Sequence, residues 1–100
     1  MHPVCQPGYG LYRGLYAYLH GQPQQAFRYW DIALKHAQNL RTPYYEARIR
    51  YEIGRRLLPN DPKRGECLRF AATQFERIGA NWDLQQTNEA IADSESNMIR

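Results

Sequence analysis

The chain has 100 residues, 43% hydrophobic and 13% aromatic, and a formal net charge of +3. This length and composition fit one small globular domain or a fragment of a larger protein, and they exclude a disordered chain. No apolar run approaches the ~20 residues of a membrane-spanning helix, and the first residues lack the basic and apolar segments of a secretory signal. The two cysteines, Cys5 and Cys67, are too few for a disulfide scaffold. We therefore expect a reduced, cytoplasmic protein with no membrane partner.

Apolar residues recur at three- and four-residue intervals throughout, which predicts helices and no strand. The second predicted helix shows the pattern best, with Ala26, Trp30 and Ala33 on one side. The predicted helices run from about 9 to 20, 23 to 39, 43 to 58, 62 to 78 and 82 to 98.

Proline and glycine mark the helix ends. Pro23 follows a Gly-Gln break, and Thr42-Pro43 has the pattern of a cap followed by a first-turn proline. Asp61-Pro62 predicts the same arrangement for the fourth helix, and Gly79 is placed to end it. Short connections of this kind favour antiparallel helical hairpins. We predict an all-α fold with a single helical domain over residues 1–100, made of a hairpin over about 7–40, a second over about 43–79 and a C-terminal helix over about 82–98.

The two hairpins align with each other after a shift of 34 residues, which places Leu15 on Ile49 and Leu19 on Ile53. The first hairpin resembles the tetratricopeptide repeat through the set Gly14, Ala17, Gly21, Ala26, Trp30 and Ala33. The second fits less well, since Arg48 replaces a small residue and its turn is long. The resemblance covers roughly residues 7–80 and implies an α-α superhelix fragment.

A narrower resemblance rests on five segments: Pro43-Tyr44-Tyr45-Glu46-Ala47, Tyr51-Glu52-Ile53-Gly54-Arg55, Asp61-Pro62-Lys63-Arg64, Phe75-Glu76-Arg77-Ile78-Gly79-Ala80 and Asp83-Leu84. These segments are similar to the C-terminal repeats of large bacterial signalling proteins that couple an ATPase module, and often a nucleotide cyclase, to helical repeats. In that group the repeats form a regulatory and assembly arm. The resemblance implies a scaffold role in signal transduction for this chain.

Two apolar stripes on the first helix suggest a surface for a protein partner. Tyr9, Tyr12, Tyr16 and Leu19 form one stripe, and Leu11, Leu15 and Tyr18 form the other. An end hairpin needs only one stripe for its own partner helix, so the other must be covered or exposed. The repeat architecture implies a concave partner-binding face lined by Leu11, Leu15, Tyr18, Leu19, Tyr45, Ile49, Glu52 and Ile53.

Three kinds of partner remain open for this face: neighbouring repeats of a longer parent chain, a second copy of the chain, or an external protein or peptide. The face lacks the Lys and Asn residues with which adaptor repeats clamp a C-terminal carboxylate. An alternative function is binding of nucleic acid or another acidic ligand by a basic surface. Its candidate residues are Arg48, Arg55, Arg56, Lys63, Arg64 and Arg69.

The sequence offers no catalytic motif, and we expect no enzyme and no cofactor. Its glycines lack the lysine-bearing pattern of a phosphate-binding loop. His2, Cys5, His20 and His36 show no metal-ligand spacing, so no metal site is predicted. Cys67 lies among apolar residues and is expected in the core.

Overall fold

The computed structural model describes residues 7–99, with side chains over residues 8–96, and this part of the chain contains helices and no strand. The all-α fold predicted from periodicity is confirmed. His2, Cys5 and the side chain of Met98 lie outside the described residues. The helices are α1 (Pro7–Leu19), α2 (Pro23–Asn39), α3 (Pro43–Arg56), α4 (Pro62–Ile78) and α5 (Asn81–Ile99).

The helix ends follow the proline and glycine signals. The carboxylate of Asp61 caps α4 by accepting a hydrogen bond from the backbone N–H of Lys63 at 2.9 Å. Gly79 ends α4 in the left-handed conformation, with φ of 76°. α3 ends at Arg56, two residues earlier than predicted. Pro59 keeps Leu58 out of the helix, since the residue before a proline disfavours the helical conformation.

Contacts divide the chain into two compact units, one ending at Ile49 and the other beginning at Arg50, so the division falls inside α3. In the first unit α1 packs closely on α2. A Cβ atom at Gly10 would lie 2.5 Å from Cβ of Ala33, and one at Gly14 would overlap the indole of Trp30. The two glycines therefore allow the close approach of the helices.

Trp30 forms the centre of the first unit. It is fully buried, and so is Ala26. The indole N–H donates a hydrogen bond to the carbonyl oxygen of Leu11 at 3.2 Å, and Phe27 meets the ring edge-on at 5.4 Å. This bond satisfies the one polar atom of a side chain that otherwise fills an apolar interior.

In the second unit α4 packs on α5, with Leu68, Ala71 and Phe75 buried along α4. A Cβ atom at Gly54 of α3 would lie 3.0 Å from Cγ of Leu68, so α3 also approaches α4 closely. The Arg50 guanidinium lies 4.4 Å from the centre of the Phe70 ring.

Candidate functional site

The two apolar stripes of α1 have different environments. Leu11 is fully buried, whereas Tyr12 is 61% exposed, Tyr16 55% and Leu19 75%. Tyr9, at 40%, continues the exposed stripe towards the start of the helix. We call Tyr9, Tyr12, Tyr16 and Leu19 the tyrosine face. Their spacing of three, four and three residues places all four on one side of α1.

Arg13 is held against aromatic rings beside the tyrosine face. Its guanidinium donates a hydrogen bond to the hydroxyl of Tyr29 on α2 at 3.2 Å. It also lies 5.5 Å from the ring centre of Tyr16 and 5.3 Å from that of Tyr29, within range of cation–π attraction. The hydrogen bond from Arg13 to Tyr29 raises the pKa of the guanidinium, so it carries its charge at every pH of interest.

A shallow groove follows the same surface, lined by Gly8, Tyr9, Tyr12, Arg13 and Tyr16. The ring of His20, just after the end of α1, stacks on the ring of Tyr16 with 4.0 Å between the ring centres. The groove therefore combines three tyrosine rings, one of them stacked on His20, with a single cation.

The residues predicted to bind a partner fall into three environments. Only Leu19 is exposed, and four others are half-buried. Tyr18, one of these four, stacks with Trp30 at 6.2 Å and so supports the core of the first unit. The buried residues are Leu11, Ile49 and Glu52, and the half-buried ones are Leu15, Tyr18, Tyr45 and Ile53.

The burial of Leu11, Ile49 and Glu52 corrects their place in the predicted face, because interior side chains present no surface to a partner. Glu52 is 3% exposed and lies 3.6 Å from Nη2 of Arg56 and 3.9 Å from Nη1 of Arg55. A buried carboxylate needs nearby cations to offset its lost hydration. Glu52 is thus a structural ion-pair centre.

One residue of the alternative basic surface, Arg64, is buried. Arg64 is 8% exposed. Its Nη1 lies 3.3, 2.9 and 2.8 Å from the carbonyl oxygens of Gly54, Arg55 and Leu57, and its Nε donates to the hydroxyl of Ser94. The expectation that Arg64 faces solvent in a basic surface is wrong, because its guanidinium is used inside the second unit.

Sequence reasoning identified the tyrosine stripe but placed only Leu19 of it in the predicted face, together with Leu11, Leu15 and Tyr18 of the other stripe, and it gave Arg13 no role. One signal was available for Arg13, which is the only charged residue between positions 7 and 19. A lone cation among aromatic residues on an amphipathic helix is a candidate for a functional contact.

Other chemical groups in the described part of the chain form no comparable site. No three His, Cys, Asp or Glu side chains described there lie close enough to hold a metal ion. Cys67 is half-buried, and its burial raises the pKa of the thiol. None of the described helices has the length and apolar character to cross a membrane.

Comparison of the chain with family models, curated proteins and solved structures finds no match.

Proposed function

We propose that this chain is a non-catalytic protein-interaction module and that the tyrosine face of α1 is its partner-binding surface. One observation carries the proposal: four large apolar side chains are exposed along one side of a single helix, beside the guanidinium of Arg13. Tyrosine and arginine, together with tryptophan, are enriched among the residues that dominate protein-binding energy.

The physical setting of these side chains favours binding. α1 packs closely on α2 at Gly10 and Gly14, so the tyrosine face stands on a helix that is supported from behind. A tyrosine has few side-chain torsions to lose when a partner binds, and it offers both an apolar ring and a hydroxyl. Binding therefore gains apolar contact at a small entropic cost.

The wider role is proposed from the sequence resemblance. The small residues between α1 and α2 and the buried Trp30 agree with a hairpin of the tetratricopeptide type. We infer that the chain serves as a regulatory or assembly arm of a larger bacterial signalling protein.

A peptide-display selection on the intact chain tests the proposed surface. Peptides selected on the wild-type chain should lose about tenfold or more in affinity for Tyr12→Ala, the usual effect of removing a dominant contact residue. Trp82→Ala is the matched control, because Trp82 is also an exposed aromatic, at 69%, and lies in the second unit. Peptides that lose affinity for Trp82→Ala but not for Tyr12→Ala would overturn the proposal.

A further inference from the structure

The charge of α1 limits which segments suit the tyrosine face. Arg13 is its single charged residue, and residues 1–49 hold five Lys and Arg residues against two Asp and Glu residues. No carboxylate on α1 neutralises Arg13. A partner that covers this face without a negative charge would remove solvent from the guanidinium and leave it uncompensated, which is costly.

The guanidinium of Arg13 is also held in place, and it has N–H groups that are not used in that contact. One N–H of Nη2 bonds to the hydroxyl of Tyr29, and Nε is buried, so the donors that a ligand can reach are on the terminal nitrogens. A guanidinium has five N–H donors in a planar fork that matches a carboxylate. Its contacts with Tyr16 and Tyr29 restrict its rotamers before any ligand arrives, so less entropy is lost on binding.

From this complementarity we propose that the tyrosine face binds an acidic linear peptide, with a carboxylate on Arg13 and neighbouring apolar side chains against Tyr9 and Tyr12. The inference rests on the proposed function and names the class of partner. Tyr9 and Tyr16 are seven residues apart, or about 10 Å along a helix, the length of about three residues of extended peptide. The groove thus accommodates one acidic residue between two apolar ones.

A nucleic acid fits the same face less well. Single-stranded nucleic acids bind along several cations that follow the phosphates and stack their bases on aromatic rings. The groove contains one cation, and the ring of Tyr16 is already stacked with His20. The observations therefore favour a peptide.

Fluorescence anisotropy on the full chain tests the inference with three labelled peptides. The first alternates aspartate with leucine and phenylalanine, and the others replace every aspartate by asparagine or lysine. We expect the wild-type chain to bind the aspartate peptide about tenfold more tightly than the asparagine peptide, because hydrogen bonds to charged groups are strong. The lysine peptide should bind most weakly.

Variants at the cation test the contact itself. Arg13→Gln should bring the aspartate and asparagine peptides within about twofold of each other, since the charge-assisted bond is lost. Tyr29→Phe removes the hydroxyl that holds the guanidinium but keeps the charge, and should lose only part of the preference. A preference that survives Arg13→Gln unchanged would overturn the inference.

The same assay separates this inference from the proposed function. Equal binding of the aspartate and asparagine peptides, weakened for both by Tyr12→Ala, would reject the acidic ligand and keep the interaction surface. Binding that is insensitive to Tyr12→Ala would reject both. Two further results would overturn the acidic-peptide inference: tighter Tyr12-dependent binding of oligothymidylate than of the aspartate peptide, or a concentration-dependent dimer in sedimentation that Tyr12→Ala dissociates and the peptide does not.

Discussion

Nη1 of Arg64 lies 2.8 Å from the carbonyl oxygen of Leu57, just beyond the last residue of α3. The same nitrogen reaches the carbonyl oxygens of Gly54 and Arg55 in the final turn of that helix. The last carbonyls of a helix have no partner within it. The buried side chain of Arg64 therefore supplies donors to the last carbonyls of α3, as the backbone N–H of Gly79 does for the last carbonyls of α4.

Replacing Arg64 should destabilise the second unit. Arg64→Met keeps much of the apolar stem but leaves the three carbonyl oxygens and Ser94 without these donors. We expect a loss of about 2–3 kcal/mol in the free energy of unfolding, since buried polar groups left unsatisfied are costly. Urea denaturation followed by circular dichroism measures it.

Lys63→Met is the control for Arg64→Met, because Lys63 is an exposed cation one position away. Its free energy of unfolding should stay within about 0.5 kcal/mol of wild type. Equal effects of the two substitutions would show that Arg64 contributes only charge.

The sequence contained a signal for the burial of Arg64, but grouping Arg64 with the other basic residues obscured it. Arg64, Leu68, Ala71 and Phe75 recur at four, three and four residues, so Arg64 extends the buried stripe of α4 by one turn. Arginine is normally exposed, and nothing in the local sequence shows that carbonyls at the end of α3 will meet it. Such contacts depend on the packing of distant segments.

Gly14→Ala should destabilise the first unit although alanine is the better helix former. The gain in helix propensity is about 1 kcal/mol. The added methyl group would overlap the buried indole of Trp30, and overpacking a filled core costs about 1–3 kcal/mol. We expect the cost of overpacking to exceed the gain in helix propensity, so calorimetry should show a lower melting temperature for Gly14→Ala than for wild type.

Gly65→Ala provides the opposite case on α4. Its methyl group would lie 2.8 Å from Nη1 of Arg69, the end of a flexible and exposed side chain that can move away. We expect Gly65→Ala to be neutral or stabilising by up to about 1 kcal/mol. A stabilised Gly14→Ala would contradict the close packing of α1 on α2.

Cys67 should behave as an unreactive thiol. Burial raises the pKa of its thiol above the usual value of 9.0, so the reactive thiolate is scarcer in the folded chain at pH 8 than in the unfolded one. In a Cys5→Ser background, alkylation by iodoacetamide should be slower in buffer than in urea. Equal rates would show that Cys67 is accessible and normally ionised.

The same pKa shift gives a direction for the pH dependence of stability. The unfolded chain releases the Cys67 proton at a lower pH than the folded chain does. The contribution of Cys67 to the free energy of unfolding is therefore complete below about pH 9 and falls as the pH rises towards the folded pKa. Cys67→Ala should lack this part of the fall in unfolding free energy at alkaline pH. The measurement is the difference between wild type and Cys67→Ala in the free energy of unfolding as a function of pH.

The two ends of α4 were predictable because their signals are local. Asp61 and Gly79 act through their own backbone neighbourhood, and both appear where expected. The buried side of α1 was not predictable in this way, since Leu11 and Tyr12 belong to stripes of similar apolar character. The buried side is the one that packs on α2, where the Trp30 indole N–H donates to the carbonyl oxygen of Leu11.

The same substitution, leucine to alanine, at two positions of α1 tests which side of the helix is buried. Leu11→Ala removes a fully buried side chain, whereas Leu19→Ala removes one that is 75% exposed. We expect Leu11→Ala to cost about 2–5 kcal/mol in the free energy of unfolding and Leu19→Ala less than about 0.5 kcal/mol. Both variants are measured by urea denaturation, and Leu19→Ala also by peptide binding, which should weaken because Leu19 belongs to the tyrosine face. If Leu19→Ala instead unfolded the chain while Leu11→Ala did not, Leu11 and Leu15 would line the outer surface, and the partner-binding face would return to the stripe that the repeat resemblance implies.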